Sequence, residues 1–252
     1  MALSKIQAES MNLADTYAFT GTVSGAGDAN DYKLITTTEA TNASTIVFDN
    51  TVVTSDYVKI TETVLSNDAT YVSFTSSGSP NIFSSDYKKL HFYFSNWKGS
   101  GTTTDNANLK FNVSTDDGAN YNITKTSCFT QAYHNASGVG GAINYEAGYD
   151  AAGSTGDINL LAIIGANTDK SNGLMLTLEQ PYSTSSWKSY SCFTSVITGG
   201  AVSNTYNYST ITTGNIQTTS AISGIRFTIV SNAGSPETGV KAGAILSVYG
   251  VK

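Results

Sequence analysis

The chain has little charge, little proline and almost no cysteine. Of its 252 residues, 13% are charged, 3 are proline, 2 are cysteine and 3 are methionine. Few charges and recurrent apolar residues exclude a disordered composition. The scarcity of Lys, Arg, Glu, Leu and Met removes the best helix formers and leaves Thr, Val, Ile, Tyr and Phe, which favour a pleated, half-buried surface. A net charge of −6 opposes binding to a phosphate backbone, so no nucleic-acid partner is expected. No apolar run approaches the roughly 20 residues that span a bilayer, so no membrane insertion is expected. The longest run, Ile158 to Ile164, reads as a buried strand. The opening MALSKIQAESMNLADTYAF lacks the apolar stretch of a signal peptide. The expectation is synthesis in the cytoplasm and release, if any, by a route such as lysis.

The two cysteines share one context, Ser127-Cys128-Phe129-Thr130 and Ser191-Cys192-Phe193-Thr194. Two thiols alone do not make a structural zinc site. They read as two small buried apolar side chains rather than a disulfide.

What is present is alternation. Ile46 and Phe48, Val72 and Phe74, Leu90, Phe92 and Phe94, Leu109, Phe111 and Val113, Leu174, Leu176 and Leu178, and Ile225, Phe227 and Ile229 each fall on one face of a strand. Turns rich in Gly, Ser, Asn and Asp separate them. The last segment, Ala244 to Val251, is apolar at both parities and is expected to be buried on both faces. The fold class is all-β: an antiparallel two-sheet sandwich of jelly-roll type over residues 31–252. Residues 1–30 read differently, as an arm and connector, extended or in a short helix. Leu3, Ile6, Met11, Leu13, Tyr17 and Phe19 would be its anchoring side chains. The alternative there is a frayed terminus. A weak echo links Lys59-Ile-Thr-Glu-Thr, Tyr71-Val-Ser-Phe and Ser85-Asp-Tyr to a similar series from Leu34, as from a duplicated strand pair or from chance.

Chemistry is thinly signalled. Ser114-Thr-Asp-Asp-Gly-Ala-Asn-Tyr121 resembles the Asp-box turn of sialidases and other β proteins. The physics of that turn is structural: a carboxylate caps backbone N–H groups and Gly118 supplies positive φ. Asp116, Asp117 and Asn120 lack the closing Glu of a calcium loop. His91 and His134 lie in strand contexts. There is no G-x-S-x-G elbow and no phosphate-binding loop. Glu146, Asp150, Asp157 and Glu179 could be paired carboxylates only by default. No catalytic residue, metal or cofactor is expected. Tyr133, Tyr145, Tyr149, Tyr182, Trp187 and Tyr190 crowd the stretch from 131 to 190. Most would pack across strands. Tyr133, Tyr145, Tyr149, Tyr182 and Trp187 are also the candidates for stacking on a sugar.

The segments SSDYKKLHFYFSNW, LKFNVSTDDGANYNITKT, QAYHNASG, GLMLTLEQPYSTSSWKSYSCF and ISGIRFTIVSNAGSPETGVKAGAILSVYGVK, in that order, resemble virion structural proteins of tailed bacteriophages, notably marine ones. The opening LSKIQAESMNLADTYAFTGTVSGAG is similar to the short arms that precede such modules in fibre and appendage proteins. The resemblance implies a β-sandwich assembled as a homo-oligomer, with a trimer expected by analogy. It implies a place on the virion surface, other phage virion proteins as partners, and a host surface glycan as a further partner. A tail fibre or adhesin fits first. A capsid decoration or head-fibre protein is the alternative, and a free carbohydrate-binding module a third.

Overall fold

The computed structural model describes residues 57–99, 107–135, 138, 140–164, 172–198, 206–231 and 239–252. The chain divides at Thr54/Ser55 into two units, and the unit Ser55–Lys252 holds every described element. The proposed anchor residues Leu3 to Phe19, the strand at Ile46 and Phe48, and the first copy of the echo all lie outside the described residues.

The strands are β1 (Tyr57–Val64), β2 (Tyr71–Thr75), β3 (Lys89–Ser95), β4 (Ala107–Ser114), β5 (Lys125–Asn135), β6 (Gly141–Tyr145), β7 (Ala151–Ser154), β8 (Ile158–Ile164), β9 (Gly173–Glu179), β10 (Lys188–Thr198), β11 (Tyr206–Ile216), β12 (Gly224–Ser231) and β13 (Ile245–Val251). Among the described residues one 3-10 turn, Ala147–Tyr149, interrupts them. All pairings between these strands are antiparallel.

With β5 to β7 and β10 to β11 set aside, eight strands remain. The first pairs the eighth (β1 with β13), the second the seventh (β2 with β12), the third the sixth (β3 with β9) and the fourth the fifth (β4 with β8). They lie in two sheets, β1-β13-β3-β9 and β2-β12-β4-β8. This nesting is a jelly roll. The two insertions lengthen only the first sheet, as β10-β11-β5-β6 beyond β9, with β7 against β5. The larger sheet therefore has nine strands and the smaller four.

The alternating residues close the core. Leu90, Phe92 and Phe94 of β3 face Phe227 of β12, and each of the four is at most 2% exposed. The Phe227 ring meets Phe94 edge-on at 4.8 Å and Phe92 at 5.4 Å. Trp97 packs on Phe94 at 4.6 Å and donates Nε1–H to the Ile245 carbonyl at 2.9 Å. An aromatic cluster this dry holds the sheets together, since deleting one such ring costs about 3–5 kcal/mol.

Three expectations change. β13 is not buried on both faces: Leu246, Val248 and Gly250 are buried, while Ile245, Tyr249 and Val251 are only half-buried. The reason is that β13 belongs to one sheet of a sandwich, whose outer face no further layer covers among the described residues. The cysteines do not share a burial state either. Cys192 points into the core, whereas Cys128 is exposed, because each strand presents opposite parity at these positions. The segments of the echo that are described do not form a strand pair: β1 and β2 lie in opposite sheets.

Candidate functional site

Two surfaces stand out, one on each sheet. On the larger sheet the register lines up Tyr93, Met175, Phe193, Ile211, Thr130 and Tyr145 as direct cross-strand neighbours. All point outward, and Phe193, Ile211 and Tyr145 are 49%, 44% and 63% exposed. Ile143, one step along β6, is 81% exposed. The outward positions of β10, β11, β5 and β6 hold Ser, Thr, Asn, Gly, Ala, Cys, Ile, Phe, Tyr and His134, and no Lys, Arg, Asp or Glu.

Among the described outward strand positions charge returns only on β1, β3 and β9, where it is paired, while beside β6 the Asp150 carboxylate takes the Tyr145 hydroxyl. Lys59 meets Glu62 at 2.9 Å and Lys89 meets Glu179 at 3.0 Å. Between them Tyr57 stacks on Tyr249 at 4.9 Å and its hydroxyl donates to Tyr93 Oη at 2.8 Å. Burial, with help from the Tyr93 hydroxyl, pushes the Tyr57 phenol up. His91 lies in the same patch, with Nδ1 at 3.1 Å from Thr177 Oγ1. Burial holds His91 below its ordinary value, against the pull of Glu179.

The smaller sheet carries a polar cleft of about 390 Å3, lined by Tyr71, Ser73 and Thr75 of β2, the turn Asp117 to Tyr121, and Arg226 of β12. Arg226 is the chain's only arginine. Its guanidinium carbon lies 4.4 Å from the Tyr121 ring centre and 6.0 Å from that of Tyr71. Its nearest acidic partner, Asp157, is 3.7 Å away, beyond hydrogen-bond range.

The turn that forms one wall is built as its residues dictate. Ser114 Oγ donates to Asp116 Oδ1 at 2.6 Å and accepts from Gly118 N at 2.9 Å. Asp116 also accepts from the Asn120 backbone at 2.9 Å and its side-chain amide at 2.6 Å. Ser114 first, then Asn120, hold this carboxyl at about 2. Asp117 and Gly118 have φ of 58° and 84°, the left-handed region that glycine adopts freely. Asp117 Oδ1 clamps the neighbouring loop through Ser76 Oγ at 2.8 Å and Ser77 N at 3.0 Å.

Beside the cleft, from Asn112 opposite Arg226, runs a largely buried polar chain. Lys125 Nζ donates to Asn112 Oδ1 and to the Ile123 carbonyl, both at 2.6 Å. Asn112 Nδ2 donates to Asp157 Oδ1 at 2.8 Å, and Asp157 Oδ2 accepts from Thr228. Burial pushes the Lys125 ammonium down to about 8, with Asp157 opposing.

The aromatic residues singled out from sequence do not share one cleft. Tyr133 packs with Tyr208 at 5.3 Å, and Tyr149 on Phe129 at 5.2 Å. Tyr190 is buried against Phe111 at 4.9 Å. Tyr145 is on the outer face, bonded through its hydroxyl to Asp150. Tyr182 and Trp187 are exposed on the connection between β9 and β10, separated from Tyr145 by β10, β11 and β5. Glu146 is tied to Gln131. Among the described residues no group of three or more His, Cys, Asp or Glu converges as a metal site, and no helix is long and apolar enough to cross a membrane. Sequence reasoning passed over Tyr71 and Arg226. The available signal was one arginine among the basic residues, at the outward parity of the strand Ile225-Phe227-Ile229.

No family model, curated protein or solved structure matches the chain.

Proposed function

We propose that the chain is a structural subunit of a phage particle, a tail fibre or adhesin component, which attaches by its N-terminal arm and displays an oligomeric β-sandwich. The observation that carries the reading is the outer face of β10, β11, β5 and β6, whose outward strand positions hold no charged side chain. A molecule of net charge −6 repels its own copies, and a neutral face is where they meet with least repulsion. The strands β5, β10 and β11 have 11 residues each. With β6 they present a face of about 20 Å by about 35 Å, on the order of 700 Å2. That approaches the roughly 800 Å2 per partner of a stable interface. The row from Tyr93 to Tyr145 supplies the apolar centre, and serines and threonines supply an uncharged rim. Insertions that enlarge this sheet alone add to the same face. The resemblance of the segment order to phage virion proteins supports the location and three copies as the expected number.

Light scattering on the purified full chain and antibody labelling of particles test this reading. The expected results are a mass above one chain at about 10 μM and label at the tail. Removing residues 1–25 is expected to keep that mass and abolish incorporation. A monomer absent from particles rejects the proposal. Label spread over the head would assign the alternative role, capsid decoration.

A further inference from the structure

We infer that the cleft between Tyr71, Tyr121 and Arg226 is a binding site for a neutral saccharide. It lies on the smaller sheet, away from the outer face of β10, β11, β5 and β6, and does not depend on the assembly reading.

Arg226 is held in an unusual way. A guanidinium has five N–H donors, yet no hydrogen bond among the described residues engages this one. Its Nε is buried without an acceptor. The approach of Asp157 at 3.7 Å is an ion pair without a hydrogen bond. The tyrosine rings orient the guanidinium by its faces instead. The cation is thus positioned by contacts that do not consume its Nη donors, and its side chain remains 31% exposed.

The turn supplies an acceptor. Asp117 takes hydrogen bonds from Ser76 and Ser77, and its carboxylate, with about four acceptor sites, lines the cleft. A donor fork and a carboxylate oxygen across one cleft match vicinal hydroxyls, each of which donates and accepts. Tyr71 is 51% exposed and offers a flat apolar face for the C–H side of a pyranose. The volume of about 390 Å3 falls within the roughly 300–1,000 Å3 of small-molecule sites.

Charge selects the neutral class. Asp117 lines the cleft, Asp157 stands beside the guanidinium, and Asp116 closes the turn behind. An anionic ligand meets these carboxylates, and a cationic one meets Arg226. A polyol satisfies both signs without bringing a charge of its own. Lysine would not serve in place of Arg226, because it lacks the planar fork and the face that stacks on a ring.

The test uses the full chain and ligand-observed NMR with linear oligomers of glucose, galactose and mannose, and with oligogalacturonate as the charged comparison. Concentrations up to about 10 mM detect weak binding. At least one neutral oligomer is expected to bind. Y71A and R226K are each expected to weaken it roughly tenfold, with the fold verified by circular dichroism, and W187A is expected to leave it unchanged. Tyr71 is exposed and R226K keeps the charge, so neither variant opens the core. Failure of every neutral oligomer to bind, binding of oligogalacturonate alone, or loss through W187A with Y71A and R226K unaffected would each overturn the assignment.

Discussion

Lys125 and Lys188 show what a sandwich with few charges does with the ones it buries. Both side chains are almost fully inaccessible, and among the described residues neither has a carboxylate within hydrogen-bond distance. Lys188 Nζ is met by the carbonyls of Ser183, Ser186, Thr218 and Ser220 at 2.6–3.1 Å. Those bonds tie the β9–β10 connection to the one that follows β11. Lys125 does the same between β5 and the smaller sheet through Asn112. Burial lowers both ammonium groups. The sign for stability follows. Between about 8 and its ordinary 10.5, Lys125 has lost its proton in the folded state but keeps it in the unfolded one. The unfolded chain then binds more protons, so stability rises with pH across that window. The Cys192 thiol and the Tyr190 phenol, both pushed up by burial, act in the opposite sense, from about pH 9 and about pH 10. Lys125 is expected to contribute a gain of about 2 kcal/mol between about pH 8 and about pH 10, with Lys188 adding to it and Cys192 offsetting part of it. Urea unfolding of the parent chain against K125M isolates that contribution: the parent's stability relative to K125M should rise by about 2 kcal/mol across the window.

At the scale of the element, the inserted strands are bound to the jelly roll by close approach as much as by hydrogen bonds. Tyr190 of β10 turns its ring onto Phe111 of β4 and donates its hydroxyl to the Thr126 carbonyl of β5 at 3.2 Å. It reaches β5 by crossing over Gly214 of β11. A Cβ at Gly214 would collide with the Tyr190 hydroxyl and the Thr126 carbonyl oxygen. G214A is expected to cost about 1–3 kcal/mol, as overpacking does, measured as a lower midpoint of thermal or urea unfolding. G148A, where nothing lies within 4 Å of the added carbon, serves as the control and should stay within about 0.5 kcal/mol. The strands β2, β3, β4, β8, β9, β12 and β13 were legible from their alternating or apolar runs, whereas the inserted set β5, β6, β7, β10 and β11 was not. Ile158–Ile164 is β8, and the faces assigned to Leu90, Leu109, Leu174 and Ile225 are those that the core buries. The outward parity of His91 and the strand-end position of His134 were legible too. The pairing order was not, because nothing local in β4 says that β8 and β12 will flank it.

At the largest scale the consequence is that the sandwich within Ser55–Lys252 has two unlike sheets. One sheet is long, neutral and apolar along a single row, and the other is short and polar. If copies meet through the long sheet, Phe193 is at the centre of the contact and its replacement by a charge removes an anchor. F193E is expected to weaken association at least about 30-fold, the scale of an interface hot spot, and to return the mass to one chain. The fold should persist, because Phe193 is 49% exposed. Cys128 gives a second readout. It points outward on β5, beside Thr213 of β11, so a thiol reagent should modify it slowly in the assembly and quickly in F193E. Cys192, buried in the core, should stay unreactive in both.

Which residues alternate, and hence which side chain of each strand enters the core, follows from the sequence by itself, because a pleated strand turns successive side chains to opposite faces whatever its neighbours are. The Ser114–Tyr121 turn was legible for the same reason: its hydrogen bonds close within a few residues. Only the tertiary structure decided that positions 71, 121 and 226 share a cleft, that Tyr133, Tyr145 and Trp187 do not, and that six outward residues from six strands form one row. Those neighbours are set by pairings as distant as Tyr57 with Val251. Such a pairing is selected by the packing of the entire core, and no short segment encodes it.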